Sequence, residues 1–314
     1  MKKFDSIQSY NSNTSSVVTI GTFDGVHIGH RKIIDNLTEQ AAATGLNSVI
    51  LTFFPHPRMV LQKDVSIKLL NTIKERTDIL SETGLDHLIV HPFTKDFSRL
   101  TAIEFVRDVL VNQLKTKKII IGYDHRFGRN RTADINDLIE FGKTFDFEVE
   151  QISAEALNDV AISSTKIRNA LHNDGDVAKA NSYLGYEYTI EGTVIVGKGL
   201  GRTIQFPTAN IAVKESYKLI PKDGVYLVSA TLNSEKVYGM TNIGQNPTVS
   251  DEDTKKIETY FFDFDADLYG KEIELHFLKR LRNEVKFESV AALKEQLTKD
   301  KLQSLDLIKA YHNA

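Results

Sequence analysis

A ten-residue segment near the N-terminus, GTFDGVHIGH at 21–30, has residue types suited to phosphate chemistry. A β-branched run at 17–20 predicts a buried strand before it, and apolar residues at helical spacing over 31–37 predict a helix after it. Glycines let the backbone approach a phosphate, and the first amides of a helix point free N–H groups at it. His27 and His30 should face the same side and donate hydrogen bonds to phosphate oxygens. The alternative is two ordinary polar residues of a βα loop.

This arrangement of strand, glycine-bearing turn, H-x-G-H and helix resembles the nucleotidyltransferase superfamily, which transfers a nucleoside monophosphate from ATP to an acceptor. The longer string G-T-F-D-G-V-H-x-G-H is similar to the N-terminal module of bacterial FAD synthetases. The resemblance implies that His27 and His30 are catalytic. It also implies that ATP or its phosphates contact Gly21, Phe23, Asp24 and Gly29.

The composition is that of an ordinary globular protein and excludes several classes of chemistry. Of 314 residues, 41% are hydrophobic and 26% are charged, and the net charge of −3 gives no basic surplus for nucleic acid. The absence of cysteine excludes disulfides, thiolate nucleophiles and cysteine-bound metal clusters. The N-terminus is polar, and no apolar run approaches the roughly 18 residues that span a bilayer. We therefore expect a cytoplasmic protein with no membrane partner; its oligomeric state stays open.

Strands and helices alternate through the first half of the chain. This order predicts a mainly parallel, doubly wound, Rossmann-like sheet whose ligand crevice lies at the carboxyl ends of the strands. Further strands are predicted at 47–54, 88–90, 118–122 and 148–152, and further helices at 73–82, 103–110 and 177–184.

Two loops of this half are predicted to line the crevice. The loop 55–57 follows the second strand, and its His56 could contact substrate or face solvent. Residues 52–57 match the family pattern T-F-x-P-H-P, and the effect of Phe54 at its variable position is left open.

The second loop follows the strand at 118–122 and resembles the family pattern G-x-D/N-F-x-F-G. Gly122, Asp124, Phe127 and Gly128 match it, so the resemblance implies that His56, Asp124 and Phe127 are flavin-binding residues. Asp124 could instead cap a turn. The chain departs from the pattern at three positions, His125, Thr132 and Ala133.

A second phosphate-binding pattern, I-S-S-T-x-I-R, opens a helix at 162–168. Hydroxyls and a guanidinium at a helix N-terminus suit phosphate oxygens, although a serine or threonine there is also an ordinary N-cap. The pattern is the other hallmark of the nucleotidyltransferases. The resemblance makes Ser163, Ser164, Thr165 and Arg168 ATP-binding residues.

The sequence pattern changes near residue 185, where short predicted strands separated by glycines replace the helical periodicity of the apolar residues. Regular short strands predict an antiparallel β-barrel, with an amphipathic C-terminal helix at 290–308 packed on it. We therefore expect two domains, 1–184 and 185–314. The predicted strands are 189–196, 224–230, 236–240, 257–264 and 272–278.

A glycine-rich stretch at 197–202 precedes F-P-T-A-N at 206–210 in this half. Alone it reads as a β-turn, but with P-T-A-N it closely resembles riboflavin kinase, in which the threonine and asparagine help to hold Mg²⁺ and ATP. Oxygen ligands are those that Mg²⁺ prefers. Gln205 departs from the family, which usually has glycine there. The implied ATP-binding residues are Gly197, Gly199, Gly201, Thr208 and Asn210, the last two also holding the metal.

Glu258 is the candidate general base of this half. In riboflavin kinases a glutamate at this position is the proposed base for the ribityl 5′-hydroxyl, and the stretch 242–248 is consistent with the family's N-I-G-x-x-P-T. The alternative is a salt-bridge partner on a solvated face. Arg280 and Arg282 could touch flavin or phosphate, or be surface charges, and are left unassigned.

Together the motifs resemble the bifunctional riboflavin kinase/FMN adenylyltransferases over essentially the whole chain. The resemblance implies FAD biosynthesis: the barrel phosphorylates riboflavin to FMN, and the N-terminal domain adenylylates FMN to FAD and releases pyrophosphate. ATP is the implied co-substrate and Mg²⁺ the implied metal. Two alternatives remain: an enzyme that retains one activity, and a non-enzymatic flavin or nucleotide sensor.

Overall fold

The computed structural model describes residues 1–61, 67–122, 126–152, 162–197, 199–245 and 255–312. The chain folds into two compact units, Met1–Ser164 and Thr165–Ala314. The domain boundary between 184 and 185 stays a prediction. Among the described residues, no helix is both long and apolar enough to cross a membrane.

The first unit is built on a six-stranded parallel sheet with the order β1-β4-β3-β2-β5-β6. Its apolar residues form clusters that include Val18, Leu51 and Ile121 in one and Val17, Ile50 and Ile120 in another. Successive residues of a strand point to opposite faces, so both faces of the sheet are covered. The strands are β1 Lys2–Phe4, β2 Ser16–Ile20, β3 Asn47–Phe53, β4 His87–His91, β5 Thr116–Gly122 and β6 Glu148–Ile152.

The helices of this unit connect the strands, as the alternating pattern predicts. The sequence did not predict β1, because it has only three residues and two of them are exposed. Single 3₁₀ turns lie at Ile7–Ser9, Phe97–Arg99 and Arg129–Arg131. The helices are α1 Ile28–Thr44, α2 Pro57–Leu61, α3 Ile73–Ser81, α4 Ala102–Glu104, which continues as a π-helix over Phe105–Gln113, and α5 Ile135–Phe145.

The sheet order bears directly on the crevice. β2 pairs with β3 on one side and with β5 on the other, all in parallel. The turn after β2 therefore leaves the same edge of the sheet as the segments that follow β3 and β5. This confirms the predicted mainly parallel fold.

The second unit is a closed barrel of six strands, all antiparallel, with the order β10-β11-β8-β7-β12-β9. The predicted antiparallel barrel is confirmed, but the sequence did not predict β8, a four-residue strand inside the P-T-A-N motif. The strands are β7 Tyr188–Ile195, β8 Ala209–Ala212, β9 Gly224–Leu232, β10 Glu235–Gln245, β11 Lys255–Phe261 and β12 Glu272–Arg282.

The C-terminal helix packs on the barrel, as predicted. Leucines of this helix, including Leu293 and Leu297, contact a barrel cluster that contains Val225 and Met240. Arg282 on β12 forms an ion pair with the buried Asp300 of the same helix, with 2.8 Å between Nη2 and Oδ2. The remaining helices are α6 Ser164–Asn169, which continues as a π-helix over Ala170–Asp174, α7 Val177–Leu184, α8 Leu200–Thr203 and α9 Val290–His312.

Candidate active sites

His27 and His30 are brought into direct contact at the start of α1. His27 is the N-cap residue, and its Nδ1 atom accepts a hydrogen bond from the backbone N–H of His30 at 3.3 Å. The two imidazole rings stack with their centroids 3.6 Å apart and their planes at 16°. The predicted pairing of the two histidines on the first turn is therefore present.

A buried aromatic residue and two glycines surround these rings. The ring of Phe23 lies 5.1 Å from that of His30, and Phe23 itself is buried. A Cβ atom on Gly29 would lie 3.3 Å from the His27 ring, and one on Gly21 would lie 3.0 Å from the Phe23 ring. A bulkier residue at Gly21 would thus push against the ring of Phe23, and one at Gly29 would push against the ring of His27.

His30 has the electrostatics of a neutral imidazole. Burial lowers the pKa of His30 well below its ordinary value, and the nearby positive charges of His27 and Arg76 lower it further. Its buried Nδ1 atom has no hydrogen-bond partner among the described residues. A neutral imidazole at this turn can donate one hydrogen bond to an anion and gains a second donor if it takes up a proton.

Asp24 has a different place from the other residues of the turn. Its carboxylate is fully buried, accepts hydrogen bonds from the backbone N–H groups of Leu70 and Asn71, and lies 3.3 Å from Nη2 of Arg76. Arg76 also donates to the carbonyl of Thr22 at 2.7 Å. These contacts hold the turn in place. Sequence reasoning missed Arg76, because 52 residues separate it from Asp24.

One residue of the second phosphate-binding pattern meets this turn. The hydroxyl of Ser164 donates to the backbone carbonyl of Asp24 at 2.9 Å, although the two lie 140 residues apart. Ser163 and Arg168 are half-buried and Thr165 is exposed. Ser164 thus joins the two motifs that the sequence identified separately.

The residues proposed for flavin in this unit lie in different environments. His56 is half-buried, and its Nδ1 atom accepts a hydrogen bond from the backbone N–H of Arg58 at 3.2 Å. Asp124 and His125 lie outside the described residues. Phe127 is 8% exposed and forms an isolated bridge with Ala133, so it packs in the core of the unit. Phe54 is half-buried, and the Thr132 hydroxyl donates to the Arg129 carbonyl.

In the barrel, strand register places three candidate residues on one side of the wall. Asn210 on β8 and Asn242 on β10 are both Cα partners of Glu258 on β11. Side chains directly opposite each other on antiparallel strands share a face, so both amides are on the face of Glu258. The Glu258 carboxylate also lies 2.7 Å from Nζ of Lys256.

Glu258 and Thr208 line one cavity of about 210 Å³ in this unit. Its wall combines apolar side chains with a few polar ones, which is the usual character of a small-molecule site. The other lining residues are Gly201, Ile204, Phe206, Val225, Met240, Asn242, Tyr260, Arg282, Glu284, Val285, Phe287, Leu293 and Leu297.

The glycine-rich stretch packs closely against the P-T-A-N motif. A Cβ atom on Gly197 would overlap the amide group of Asn210, and one on Gly201 would overlap the carbonyl of Phe206. Gly199 has a positive φ of 72° and precedes α8. Gln205 also has a positive φ, of 69°, a conformation that favours glycine, and its side chain accepts a hydrogen bond from Lys294. The departure at Gln205 therefore keeps the backbone conformation that glycine would adopt.

The donor set of this site fits Mg²⁺ bound together with a nucleotide. Thr208 and Asn210 offer neutral oxygens two residues apart, and Asn210 is buried. Within the described ranges, no cluster of three or more His, Cys, Asp or Glu side chains could hold a metal by itself. Mg²⁺ often takes only one or two protein ligands and completes its shell with phosphates and water.

Arg280 and Arg282 both have partners within the barrel. Arg280 donates to the carbonyl of Asp223 at 2.7 Å and lies over the ring of Tyr226. Arg282 lines the cavity but is held by Asp300. The sequence left open whether these two arginines are surface charges, and the structure gives each of them a partner within the barrel.

The comparisons with known proteins match both units. The FAD synthetase family model matches residues 9–166, and the riboflavin kinase family model matches residues 184–308. A bifunctional riboflavin kinase/FMN adenylyltransferase of Listeria monocytogenes is 39% identical, with 92% of this chain and 91% of that protein covered. The protein of the same description from Escherichia coli is 37% identical, with 91% and 90% covered.

A solved structure extends the match to the fold of the whole chain. The crystal structure of a protein described as a macrolide-efflux protein from Streptococcus pneumoniae has a TM-score of 0.87 and 31% identity to this chain. The match covers 96% of this chain and 98% of that one.

Proposed function

The chain belongs to the bifunctional riboflavin kinase/FMN adenylyltransferase family, and we propose that it makes FAD from riboflavin in two ATP-dependent steps. The observation that carries this function is that each of the two family models matches a unit with its own candidate site. The barrel phosphorylates riboflavin to FMN. The part of the chain that matches the FAD synthetase family, residues 9–166, adenylylates FMN to FAD.

In the barrel, Glu258 acts as the general base. Its carboxylate accepts the proton of the 5′-hydroxyl while that oxygen bonds to the γ-phosphorus of ATP and ADP leaves. The apolar wall, with Val225, Met240 and Tyr260, suits the flavin ring. Thr208 and Asn210 would hold Mg²⁺ with the ATP phosphates, and the bound metal would neutralise their charge.

Gly197, Gly199 and Gly201 support this ATP site through the backbone. The overlap that a Cβ atom on Gly197 would create shows how closely the backbone approaches Asn210. A phosphate needs the same close approach, and glycine leaves room for it. We therefore assign the glycine-rich stretch to ATP binding in the kinase.

In the adenylylation step, the FMN phosphate attacks the α-phosphorus of a second ATP, and pyrophosphate leaves. His27 and His30 donate hydrogen bonds to the oxygens on which negative charge grows. The turn that we assign to ATP contains Gly21, Phe23, Asp24 and Gly29, and the buried carboxylate of Asp24 holds this turn in place. The ATP-binding residues of the second motif are Ser163, Ser164, Thr165 and Arg168.

Three residues are assigned to the flavin in the adenylylation step. His56 is the half-buried candidate at the end of β3, and Asp124 is retained from the family pattern. Phe127 would act by packing behind the flavin rather than by open contact, because it is 8% exposed. We assign the adenylyltransferase domain to residues 1–184 and the riboflavin kinase domain to residues 185–314. We propose that the protein acts in the cytoplasm, where its nucleotide substrates are abundant.

The test is an incubation of purified protein with riboflavin, ATP and Mg²⁺, with the flavins separated by chromatography over time. FMN followed by FAD supports both assignments. FMN that accumulates without FAD means that the first unit is inactive or uses another acceptor. Absence of product from riboflavin, with FAD formed from supplied FMN, locates the failure in the barrel. Binding without any product supports the sensor alternative.

A further inference from the structure

Lys256 and Glu258 are two residues apart on β11, so their side chains leave the same face of the strand. Nζ of Lys256 lies 2.7 Å from Oε1 of Glu258, and the side chains are 34% and 29% exposed. A charge-assisted contact of this length fixes the position of one carboxylate oxygen. The other oxygen, Oε2, is not engaged by this contact.

The neighbouring strand leaves room for Lys256 in this position. Its Cα partner on β10 is Gly244, which has no side chain to occupy the shared face. A Cβ atom on Gly244 would overlap the carboxylate of Glu284, a second acidic residue of the cavity wall. Lys256 therefore lies across from a position that a carboxylate occupies, and beside Glu258.

Two other cations of the described barrel, Lys255 and Arg282, have partners other than Glu258. The side chain of Lys255 leaves the opposite face of β11 from that of Lys256. Its Nζ donates to the carbonyl of Pro221 at 2.7 Å and lies 3.0 Å from the Asp223 carboxylate. Arg282 lines the cavity, but Asp300 holds its guanidinium. Within the part of the barrel that the structure describes, Lys256 is the cation that is paired with Glu258.

We propose that Lys256 is a positioning residue for Glu258 in riboflavin phosphorylation, a role that rests on the proposed function of Glu258 as the base. The ion pair holds Oε1 and leaves Oε2 to accept the 5′-hydroxyl proton. The hydroxyl O–H bond breaks toward Oε2, the O–P bond forms at the γ-phosphorus, and ADP leaves with the electrons of the broken P–O bond. Lys256 itself transfers no proton.

Loss of this contact should affect turnover more than binding. A base displaced by a fraction of an ångström is less effective, whereas the cavity wall that binds the flavin is unchanged. We expect Lys256→Met to lower kcat for FMN formation by about 10-fold or more, with KM for riboflavin nearly unchanged. Lys256→Arg, which keeps a cation in reach, should recover part of the loss. Lys271→Met removes an exposed lysine next to β12 and should change neither constant.

A double-mutant cycle in the full-length protein tests the proposal. Single-turnover rates of FMN formation are measured at high enzyme concentration for wild type, Lys256→Met, Glu258→Gln and the double variant. Urea unfolding of each variant, followed by circular dichroism, is the folding control for the barrel, and conversion of FMN to FAD checks that the first unit is unaffected. If Lys256 acts through Glu258, its substitution should add no further loss in the Glu258→Gln background.

Two results would overturn the positioning role: an equal fold-loss in both backgrounds, or a wild-type rate for Lys256→Met. An equal loss would mean that the lysine acts independently of the base, for example on a phosphate. A wild-type rate for Glu258→Gln would instead refute the base, and hence the proposed function of this site. If Lys256→Met does not fold, Lys256→Gln replaces it in the same cycle, and the same two results decide.

Discussion

The imidazole rings of His27 and His30 stack 3.6 Å apart, and the backbone N–H of His30 donates to Nδ1 of His27. Because this bond uses Nδ1 of His27 as an acceptor, His27 in its neutral form carries its proton on Nε2. The stack therefore offers donors to an anion from two adjacent rings. It also disfavours a positive charge on both rings at once, consistent with the lowered pKa of His30.

We predict that His30→Ala lowers the rate of FMN adenylylation by about 10²- to 10³-fold, the usual effect of removing one donor from a site of developing charge. Riboflavin phosphorylation should continue at the wild-type rate. The two rates are measured separately with FMN and with riboflavin as substrates. His172→Ala, which removes an exposed histidine, is the matched control and should alter neither rate. Loss of both activities in folded His30→Ala would contradict the assignment of one activity to each unit.

The same pair predicts that ATP binding is linked to proton uptake. His30 is neutral in the free protein at neutral pH because its pKa is lowered, and the negative triphosphate should raise that pKa. ATP affinity at this site should therefore rise as the pH falls toward the raised pKa. Calorimetry in buffers of different ionisation enthalpy measures the protons taken up. His30→Asn should abolish that uptake, and uptake unchanged in this variant would exclude His30 as its source.

A third prediction concerns the buried ion pair of Asp24 and Arg76, whose side chains are 0% and 2% exposed. Arg76→Met breaks this pair by removing a positive partner of the buried Asp24 carboxylate, and breaking a buried ion pair usually costs about 3–5 kcal/mol of unfolding free energy. The double variant Arg76→Met/Asp24→Asn removes both charges and should lose less than the sum of the two single losses. Urea unfolding of the full chain measures all four proteins. Additive losses would mean that the pair is not coupled.

Local patterns predicted the elements that position the sites, and failed where the signal was short or distant. The strand–turn–helix around His27 was predictable because periodicity and glycine occur within twenty consecutive residues. β8 was missed because four residues of a recognised motif show too little alternation. Arg76 was missed because its partner Asp24 lies far along the chain. The role of Phe127 was not predictable, because a phenylalanine that contacts a ligand and one that packs in a core are the same residue type in the sequence.

A fourth prediction tests the packing of Gly197 against Asn210. Alanine at position 197 would place its Cβ atom 2.6 Å from Cγ of Asn210, so the amide must move. Because Asn210 is assigned to Mg²⁺ and ATP, Gly197→Ala should lower riboflavin phosphorylation by about 10-fold or more while FMN adenylylation persists. Gly270→Ala is the control: its Cβ atom meets nothing within 4 Å, and its positive φ of 74° costs stability rather than site geometry. Equal kinase activity in the two variants would contradict the close approach.

The last prediction is a pH dependence of stability that arises at His276 on β12. The ring lies 3.4 Å from Glu187 and 3.0 Å from Glu274, and these two carboxylates, Glu187 first, raise the pKa of His276 to about 9. The pKa is higher in the folded than in the unfolded protein, where it is about 6.5. The stabilisation is therefore fully present below about pH 6.5 and is lost as the pH rises through about 9.

His276→Gln should remove this dependence. Because the ring is 31% exposed, solvent screening reduces the expected loss to about 1 kcal/mol at pH 6. Urea unfolding of the full chain, followed by circular dichroism, is measured at about pH 6 and pH 9.5 for wild type, His276→Gln and the exposed-site control His172→Gln. The difference between wild type and His276→Gln should be largest at the lower pH and should shrink at the higher one. A difference that stays constant, or grows with pH, would show that the carboxylates do not stabilise a protonated His276.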